Sequence, residues 1–223
     1  MMSDSALFSD GSARDAGVLT RVVVVGLGQA GGFIIEALDC LPSVELVAGV
    51  EPKGRDSSAR LGDRPVYPSL GELPPSLDPD VIVIATPTES HVPVGVEILD
   101  RVPRPRLILC EKPLATQYSE ALSLFRKAAK AGVRLRVLYH FAYSPEVMWA
   151  SAQWPVIQES HGPVSRFTSQ FDDPKRDLAI ASEALVSSWA DAGINAMSVL
   201  ARFVTLDEIS QASAGGPARC SAT

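Results

Sequence analysis

Short apolar runs separated by polar stretches recur along the first two thirds of the chain. Runs rich in β-branched residues are typical of buried strands in a parallel sheet, because such strands are covered on both faces. Three of these runs precede a stretch with apolar residues at three- and four-residue spacing, which indicates a helix. The predicted strands are 22–25, 44–50, 65–67, 81–85, 106–110 and 134–139, and the predicted helices are 30–38, 91–99 and 119–131.

This regular alternation of strands and helices predicts the fold class. Strand–helix–strand units with right-handed crossovers build an α/β fold around a doubly wound parallel sheet. Residues 134–139 alternate basic and apolar side chains, which favours an edge position for that strand.

A glycine turn separates the first predicted strand from the first predicted helix. Four valines lead directly into GLGQAG, and the helical pattern begins at once. In this context Gly26 allows a tight turn, Gly28 lets a pyrophosphate approach the backbone, and Gly31 allows close contact between helix and strand. Free N–H groups and the helix dipole would hold the phosphates, so we predict a Rossmann-type dinucleotide site, with a purely structural turn as the alternative. Its candidate cofactor-binding residues are Gly26, Leu27, Gly28, Gln29 and Ala30.

The pattern changes after about residue 143. A helix is predicted over 145–160, which Pro155 should kink or divide, followed by a strand over 164–171 and a helix within 191–204. These elements are too few to enclose a core of their own. We therefore expect a disordered leader (1–19), a dinucleotide-binding Rossmann domain (20–143), an incomplete α+β substrate domain (144–210) and a disordered tail (211–223).

Composition and charge exclude several classes of protein. The 223 residues are 46% apolar and 21% charged, as in soluble globular proteins. A net charge of −6 argues against partners such as nucleic acid or anionic membranes, and no apolar run approaches the roughly 18 residues that span a bilayer. The three cysteines lack metal-like spacing and the first residues lack signal-peptide features, so we expect no metal and a cytoplasmic protein.

The choice between NAD and NADP depends on the end of the second predicted strand. Glu51 lies near the position where an acid binds the adenosine ribose, which favours NAD. Lys53 and Arg55 follow within four residues and would instead suit the 2′-phosphate of NADP. Both cofactors therefore stay open, with NAD favoured.

Lys112 directly follows a predicted strand and precedes a proline. Open α/β sheets bind ligands at the carboxyl ends of their strands, so this lysine could donate a hydrogen bond to a substrate hydroxyl. The alternative is a surface lysine paired with Glu111.

Asp191 and Asn195 lie four residues apart at the start of a predicted helix, so their side chains project from one face. A carboxylate there can accept the proton of a hydroxyl that is being oxidised, while the amide orients the substrate. The alternative is a helix N-cap and a solvated helix residue.

Five motifs, in this order and at these spacings, resemble one known family. They are GLGQAG, ATPTESH and EKPLA, each after a predicted strand, followed by YHFAYSP and DAGINA. They are similar to the glucose–fructose oxidoreductase/inositol dehydrogenase (Gfo/Idh/MocA) family over about residues 22–203. DAGIN, with Asn195 where many members have His, is similar to the L-arabinose and D-galactose 1-dehydrogenase branch. Members continue into a large open β-sheet domain, so we expect a truncated C-terminal domain here.

The resemblance also implies roles for further residues. It places Lys112 at the sugar, often with a cis bond before Pro113, and makes His140 a substrate contact. It assigns Thr86, Pro87, His91, Glu111 and Lys112 to the cofactor loops. Thr86 would donate to the pyrophosphate or the nicotinamide ribose, while His91 either orients the following helix or contacts the cofactor.

The implied function is an NAD(P)-dependent oxidoreductase for a sugar or polyol. We expect hydride transfer from C1 of an aldose to the nicotinamide, while Asp191, or Lys112 through a water, takes the hydroxyl proton and a lactone forms. The segment before DAGIN matches that branch poorly, so the sugar stays open. A nucleotide-binding regulator without catalysis and an inactive truncated dehydrogenase remain alternatives, and a homo-oligomer is left open.

Overall fold

A six-stranded parallel sheet forms the centre of the protein. The structure, a computed structural model, describes residues 18–54, 59–162, 193–203, 209–213 and 219–222. The strands are β1 (Thr20–Val25), β2 (Val44–Val50), β3 (Val66–Tyr67), β4 (Val81–Ile84), β5 (Leu107–Glu111) and β6 (Arg134–Leu138). Their order across the sheet is β3-β2-β1-β4-β5-β6, and every neighbouring pair is parallel. This order is that of the doubly wound Rossmann fold, so the predicted fold class is confirmed.

Helices cover both faces of this sheet. They are α1 (Gln29–Asp39), α2 (Thr88–Asp100) and α3 (Tyr118–Lys130). In β1, Val23 belongs to one core cluster with Ile98 of α2, whereas Val24 belongs to the other with Ile35 of α1. Because both faces are packed, every position of the strand favours an apolar residue, which explains the uninterrupted valine run.

The strand β6 lies at one edge of the sheet, as its alternating pattern predicts. Arg134 and Arg136 are exposed, and Leu135 between them is buried. The first residues of β6 therefore turn an apolar side chain to the core on one face only, whereas Leu138 at its end packs against the core on the other face.

Two further helices, α4 (Pro145–His161) and α5 (Ile194–Leu200), follow the sheet. The sequence predicts that Pro155 kinks or divides α4, and the structure shows that it does not divide the helix. The carbonyl that Pro155 leaves without a donor, four residues upstream, belongs to a partly exposed stretch where water can satisfy it. The helix α5 packs on a 3₁₀ turn, His140–Tyr143, that follows β6.

The last described residues form two short strands, β7 (Ile209–Ser213) and β8 (Arg219–Ala222), which pair antiparallel. The sequence predicts a disordered tail over 211–223, and the difference arises because main-chain pairing leaves no mark on a composition poor in apolar residues. Residues 1–17 of the predicted leader (1–19) and the predicted strand over 164–171 lie outside the described residues, and the domain boundaries stay predictions. Within the part of the chain that is described, each helix is too short or too polar to reach across a bilayer.

Candidate functional site

Three neighbouring strands end at one edge of the sheet, and each leads into a segment with candidate residues. The register pairs Val25 with Ile84, and Ile84 with Cys110, so β1, β4 and β5 end at a similar level. The glycine turn, Thr86 and Lys112 follow within two residues of these ends. They therefore share the carboxyl edge, where doubly wound sheets bind their ligands.

Each glycine of the GLGQAG turn meets a different steric demand. Gly26 has a φ of +90°, and a Cβ there would lie 2.7 Å from the carbonyl oxygen of Ala85. A Cβ on Gly31 would overlap the carbonyl oxygen of Gly26. A Cβ on Gly28 would meet none of the described atoms within 4 Å. The protein itself thus requires the first and third glycines, while the second faces open space.

The start of α1 is open to that space. Gly28 is the N-cap residue and carries no side chain that could cap the helix. Gly28, Gln29 and Ala30 are all exposed. The first N–H groups of a helix lack partners within the helix and lie at the positive end of its dipole. This geometry suits the two phosphates of a dinucleotide.

Glu51, which follows β2, lies beside the glycine turn. One carboxylate oxygen, Oε2, accepts the main-chain N–H of Leu27 at 3.0 Å, and Oε1 accepts that of Lys53 at 3.3 Å. The structure therefore places a carboxylate next to the turn at the end of β2, where the sequence predicts a ribose contact. Lys53 is exposed, and Arg55 lies outside the described residues.

His91, in the first turn of α2, connects two segments of the carboxyl edge. The residue is 1% exposed. Its Nδ1 lies 2.8 Å from the carbonyl oxygen of Pro113, and its Nε2 lies 2.8 Å from that of Thr86. Both ring nitrogens face main-chain acceptors in the interior. Of the two roles that the sequence leaves open, this geometry favours orientation of the helix and its neighbours over direct contact with a cofactor.

Thr86 and Pro87 link β4 to α2. The Thr86 hydroxyl oxygen is buried, and no hydrogen-bond partner for it exists among the described residues. Buried hydroxyls are almost always paired, so this oxygen is suited to a group that a ligand would bring. Pro87 is exposed and is the N-cap residue of α2.

The segment after β5 carries the EKP motif. The Lys112–Pro113 peptide bond is cis, as the resemblance implies. The Lys112 main-chain N–H donates to Oε2 of Glu111 at 3.2 Å, and both residues are half-buried. Pro113 is therefore joined to Lys112 through a cis bond, and its carbonyl oxygen contacts the ring of His91.

Two further candidates lie on elements that contact each other, the turn after β6 and the helix α5. The register of β5 with β6 places His140, which is exposed, at the same edge as Lys112. Asn195 is 8% exposed and lies in the first turn of α5, which packs on the turn that His140 begins. Asp191 lies outside the described residues, so its role stays a prediction.

The thiol of Cys110 is buried near the end of β5, in a stretch that the sequence predicts as a strand. Burial, and secondarily the charge of Glu111, raises the pKa of the Cys110 thiol from 9.0 to about 12. Burial also raises the pKa of the Tyr139 hydroxyl. Both groups are therefore neutral at physiological pH. Within the described residues, no group of three or more His, Cys, Asp or Glu side chains could hold a metal ion.

Comparison with known proteins identifies relatives of the sheet domain. Residues 20–139 match a family model described as an oxidoreductase family with an NAD-binding Rossmann fold. Inositol 2-dehydrogenase of Mycolicibacterium smegmatis is 34% identical over 134 residues, which cover 56% of this chain and 37% of that protein. The rhizopine catabolism protein MocA of Rhizobium meliloti is 29% identical over 129 residues, 57% of this chain and 39% of that protein. The chain thus spans under two fifths of these curated relatives.

Solved structures of other proteins are similar to this chain as well. GenD2 from gentamicin A biosynthesis, crystallised in complex with NAD, is 30% identical, with a TM-score of 0.54 over 63% of this chain and 40% of that one. A putative oxidoreductase from Klebsiella pneumoniae is 21% identical, with a TM-score of 0.66 over 82% of this chain and 50% of that one. The second likeness shows the fold alone.

Proposed function

Since the chain belongs to the Gfo/Idh/MocA family of NAD-binding oxidoreductases, we propose that it is an NAD-dependent dehydrogenase that oxidises a ring CH–OH group of a sugar or polyol. The observation that carries this proposal is the convergence of the glycine turn, Thr86 and Lys112 at one edge of the sheet. This edge combines a helix start that would suit phosphates with a lysine that could contact a substrate hydroxyl.

The residues present fit a dinucleotide. The open space in front of Gly28 leaves room for a pyrophosphate, which the first N–H groups of α1 would hold. The buried Thr86 hydroxyl would gain the partner that it lacks among the described residues. When bound, NAD supplies the acceptor for the hydride, and the protein supplies position and proton transfer.

We assign NAD rather than NADP because of Glu51. Its carboxylate lies at the end of β2 beside the turn, bonded to the main-chain N–H of Leu27. A ribose hydroxyl can donate to such a carboxylate, whereas a 2′-phosphate would bring a second negative charge against it. The relative GenD2 was crystallised with NAD, which is consistent with this assignment.

The proposed reaction divides between the cofactor and four side chains. The substrate carbon would give up a hydride, which bound NAD would accept, and the hydroxyl would give up a proton, so that a carbonyl would form. Lys112 would donate a hydrogen bond to that hydroxyl, and Asp191 would accept the proton. Asn195 and His140 would orient the ring. Aldose C1, which yields a lactone, and an inositol carbon share this chemistry.

The first test measures the role of Lys112. Wild-type protein is incubated with NAD and a panel of aldoses and myo-inositol, and absorbance of the reduced nicotinamide is followed. We expect reduction with at least one substrate, and a loss of roughly 100-fold or more in turnover for Lys112→Ala, because the positioned donor is gone. The NAD affinity of this variant, measured by calorimetry, should change little because the glycine turn is intact.

Lys130→Ala serves as the control, because Lys130 is an exposed lysine in the last turn of α3. This variant should keep wild-type turnover. Wild-type turnover in Lys112→Ala would refute the role of Lys112. Binding of NAD without reduction by any substrate would favour a non-catalytic nucleotide-binding protein.

A further inference from the structure

The ring of His91 makes two contacts that no neutral histidine can satisfy together. Both partners are main-chain carbonyl oxygens, each 2.8 Å from a ring nitrogen. A carbonyl only accepts hydrogen bonds, and a neutral imidazole carries only one N–H. A neutral ring would therefore direct one nitrogen lone pair at an oxygen lone pair inside the protein.

We propose that His91 is an imidazolium that donates hydrogen bonds to the carbonyls of both Thr86 and Pro113, and that this pair of hydrogen bonds makes it a positioning residue for Lys112. With both nitrogens protonated, the two contacts become charge-assisted hydrogen bonds. The positioning part of this inference rests on the function proposed above, whereas the bonding part does not.

Burial keeps water away from both contacts. His91 is 1% exposed, so the two carbonyl oxygens take the place of the water that would otherwise solvate the ring nitrogens.

The bridge joins segments that the chain itself holds far apart. Thr86 lies 5 residues before His91, and Pro113 lies 22 residues after it. Thr86 belongs to the predicted cofactor loop, and Lys112 precedes Pro113 directly. A rigid ring between the two carbonyls therefore fixes the distance from the cofactor loop to the lysine. Misplacement by about 1 Å at a reacting centre can cost up to 100-fold in rate.

The bonding part is tested on the wild-type protein by ¹⁵N NMR of its histidine rings at neutral pH. The chain has only three histidines, and His91→Gln and His161→Phe assign the signals by their loss. We expect both nitrogens of His91 to carry protons and to resist exchange with solvent. A spectrum of a neutral ring with a single N–H would overturn the proposal.

The positioning part is tested with His91→Phe, which keeps a ring of similar shape but removes both donors. His161→Phe is the matched control, because His161 is exposed in the last turn of α4. For His91→Phe we expect kcat to fall roughly 10- to 100-fold, with a much smaller change in NAD affinity. His91→Gln, which retains a donor, should recover part of the loss.

Hydrogen exchange provides a readout that needs no substrate. In His91→Phe the amides around Thr86 and Lys112 should exchange at least about tenfold faster, while those of the glycine turn stay at the wild-type rate. Equal exchange at Lys112 in both proteins, or unchanged kcat, would overturn the positioning role. If the wild type oxidises no sugar or polyol, the proposed function fails. The NMR and exchange results would still show whether His91 links the carbonyls of Thr86 and Pro113.

Discussion

Cys110 is the last residue but one of β5, directly before Glu111, and its side chain is fully buried. Burial disfavours the thiolate and raises the pKa of this thiol from its ordinary value of 9.0 to about 12 in the folded protein. The folded state therefore holds this proton more tightly than the unfolded state. The resulting stabilisation is complete below pH 9 and is lost as the pH rises from 9 towards 12.

This difference predicts a specific alkaline loss of stability. Between pH 9 and 10.5 the free energy of unfolding should fall with a slope that approaches about 1.4 kcal/mol per pH unit from this single group. The measurement is urea unfolding from pH 7 to 10.5 for the wild type and Cys110→Ala. Their difference should be constant up to about pH 9 and should then shrink.

Cys40→Ala is the matched control for this series, because it removes an exposed thiol in place of a buried one. It reports any effect of the substitution that does not depend on burial. A difference between wild type and Cys110→Ala that stays constant up to pH 10.5 would contradict the prediction.

At the residue scale, the glycine positions that a turn requires could be predicted from the sequence, whereas contacts between distant residues could not. The roles of Gly26 and Gly31 follow from a motif within six residues, and the φ of +90° at Gly26 and the crowding at Gly31 agree with them. The two acceptors of His91 are different, because the carbonyl of Pro113 lies 22 residues away. Periodicity carries no information on which main-chain oxygen a buried ring will meet.

At the scale of elements, the turn between β1 and α1 combines a glycine needed for packing with a glycine suited to ligand binding. Gly31 is needed because helix and strand approach closely, whereas Gly28 faces open space. Substitution by alanine should therefore affect a different property of the protein at each of these two positions. Gly31→Ala acts on folding, and Gly28→Ala acts on cofactor binding.

For Gly31→Ala we expect a loss of about 1–3 kcal/mol in the free energy of unfolding, because the new methyl group overlaps main-chain atoms. This net loss already includes the gain in helix propensity of about 1 kcal/mol. For Gly28→Ala the free energy of unfolding should change by less than about 0.5 kcal/mol. The Kd for NAD should rise at least about tenfold, because the methyl group enters the space where the pyrophosphate is proposed to bind. Urea unfolding and calorimetry measure both quantities, and equal stability of the two variants would refute the assignment.

The elements themselves could be predicted where periodicity is strong. All six strands and the helices α1 to α3 follow from apolar runs and helical spacing, because burial on two faces leaves a clear pattern. A helix over 145–160 also follows from the sequence, but its continuity through Pro155 does not, because a proline removes a hydrogen bond inside a helix. The pair of β7 and β8 does not follow either, since it rests on main-chain pairing.

At the scale of the whole molecule, the parallel sheet assembles the candidate site. It brings the glycine turn, Glu51, Thr86 and Lys112 to one edge although they are spread over 87 residues of the chain, from Gly26 to Lys112. Strand order is what places them there, because β1 lies between β2 and β4, and β4 lies beside β5. The fold could be predicted from the sequence, so this convergence could be predicted as well. The position of Asp191 stays open because it lies outside the described residues.

A ligand that bridges these segments should stabilise the molecule as a whole. At 100 times its Kd, NAD should add about 2.7 kcal/mol to the free energy of unfolding, if it does not bind the unfolded chain. For a chain of this size each kcal/mol corresponds to a shift of about 2–4 °C in Tm, so a rise of roughly 5–11 °C is expected. Differential scanning calorimetry over a series of NAD concentrations measures this shift.

NADP at the same concentration should raise Tm less, because its 2′-phosphate meets the carboxylate of Glu51 at the end of β2. Glu51→Gln removes that charge and keeps the size of the side chain, so the gap between the two cofactors should narrow. Glu97→Gln, an exposed position on α2, is the matched control and should keep the wild-type gap. Equal shifts for NAD and NADP in the wild type would refute the role of Glu51, because the repulsion that it predicts would then be absent from the folded protein.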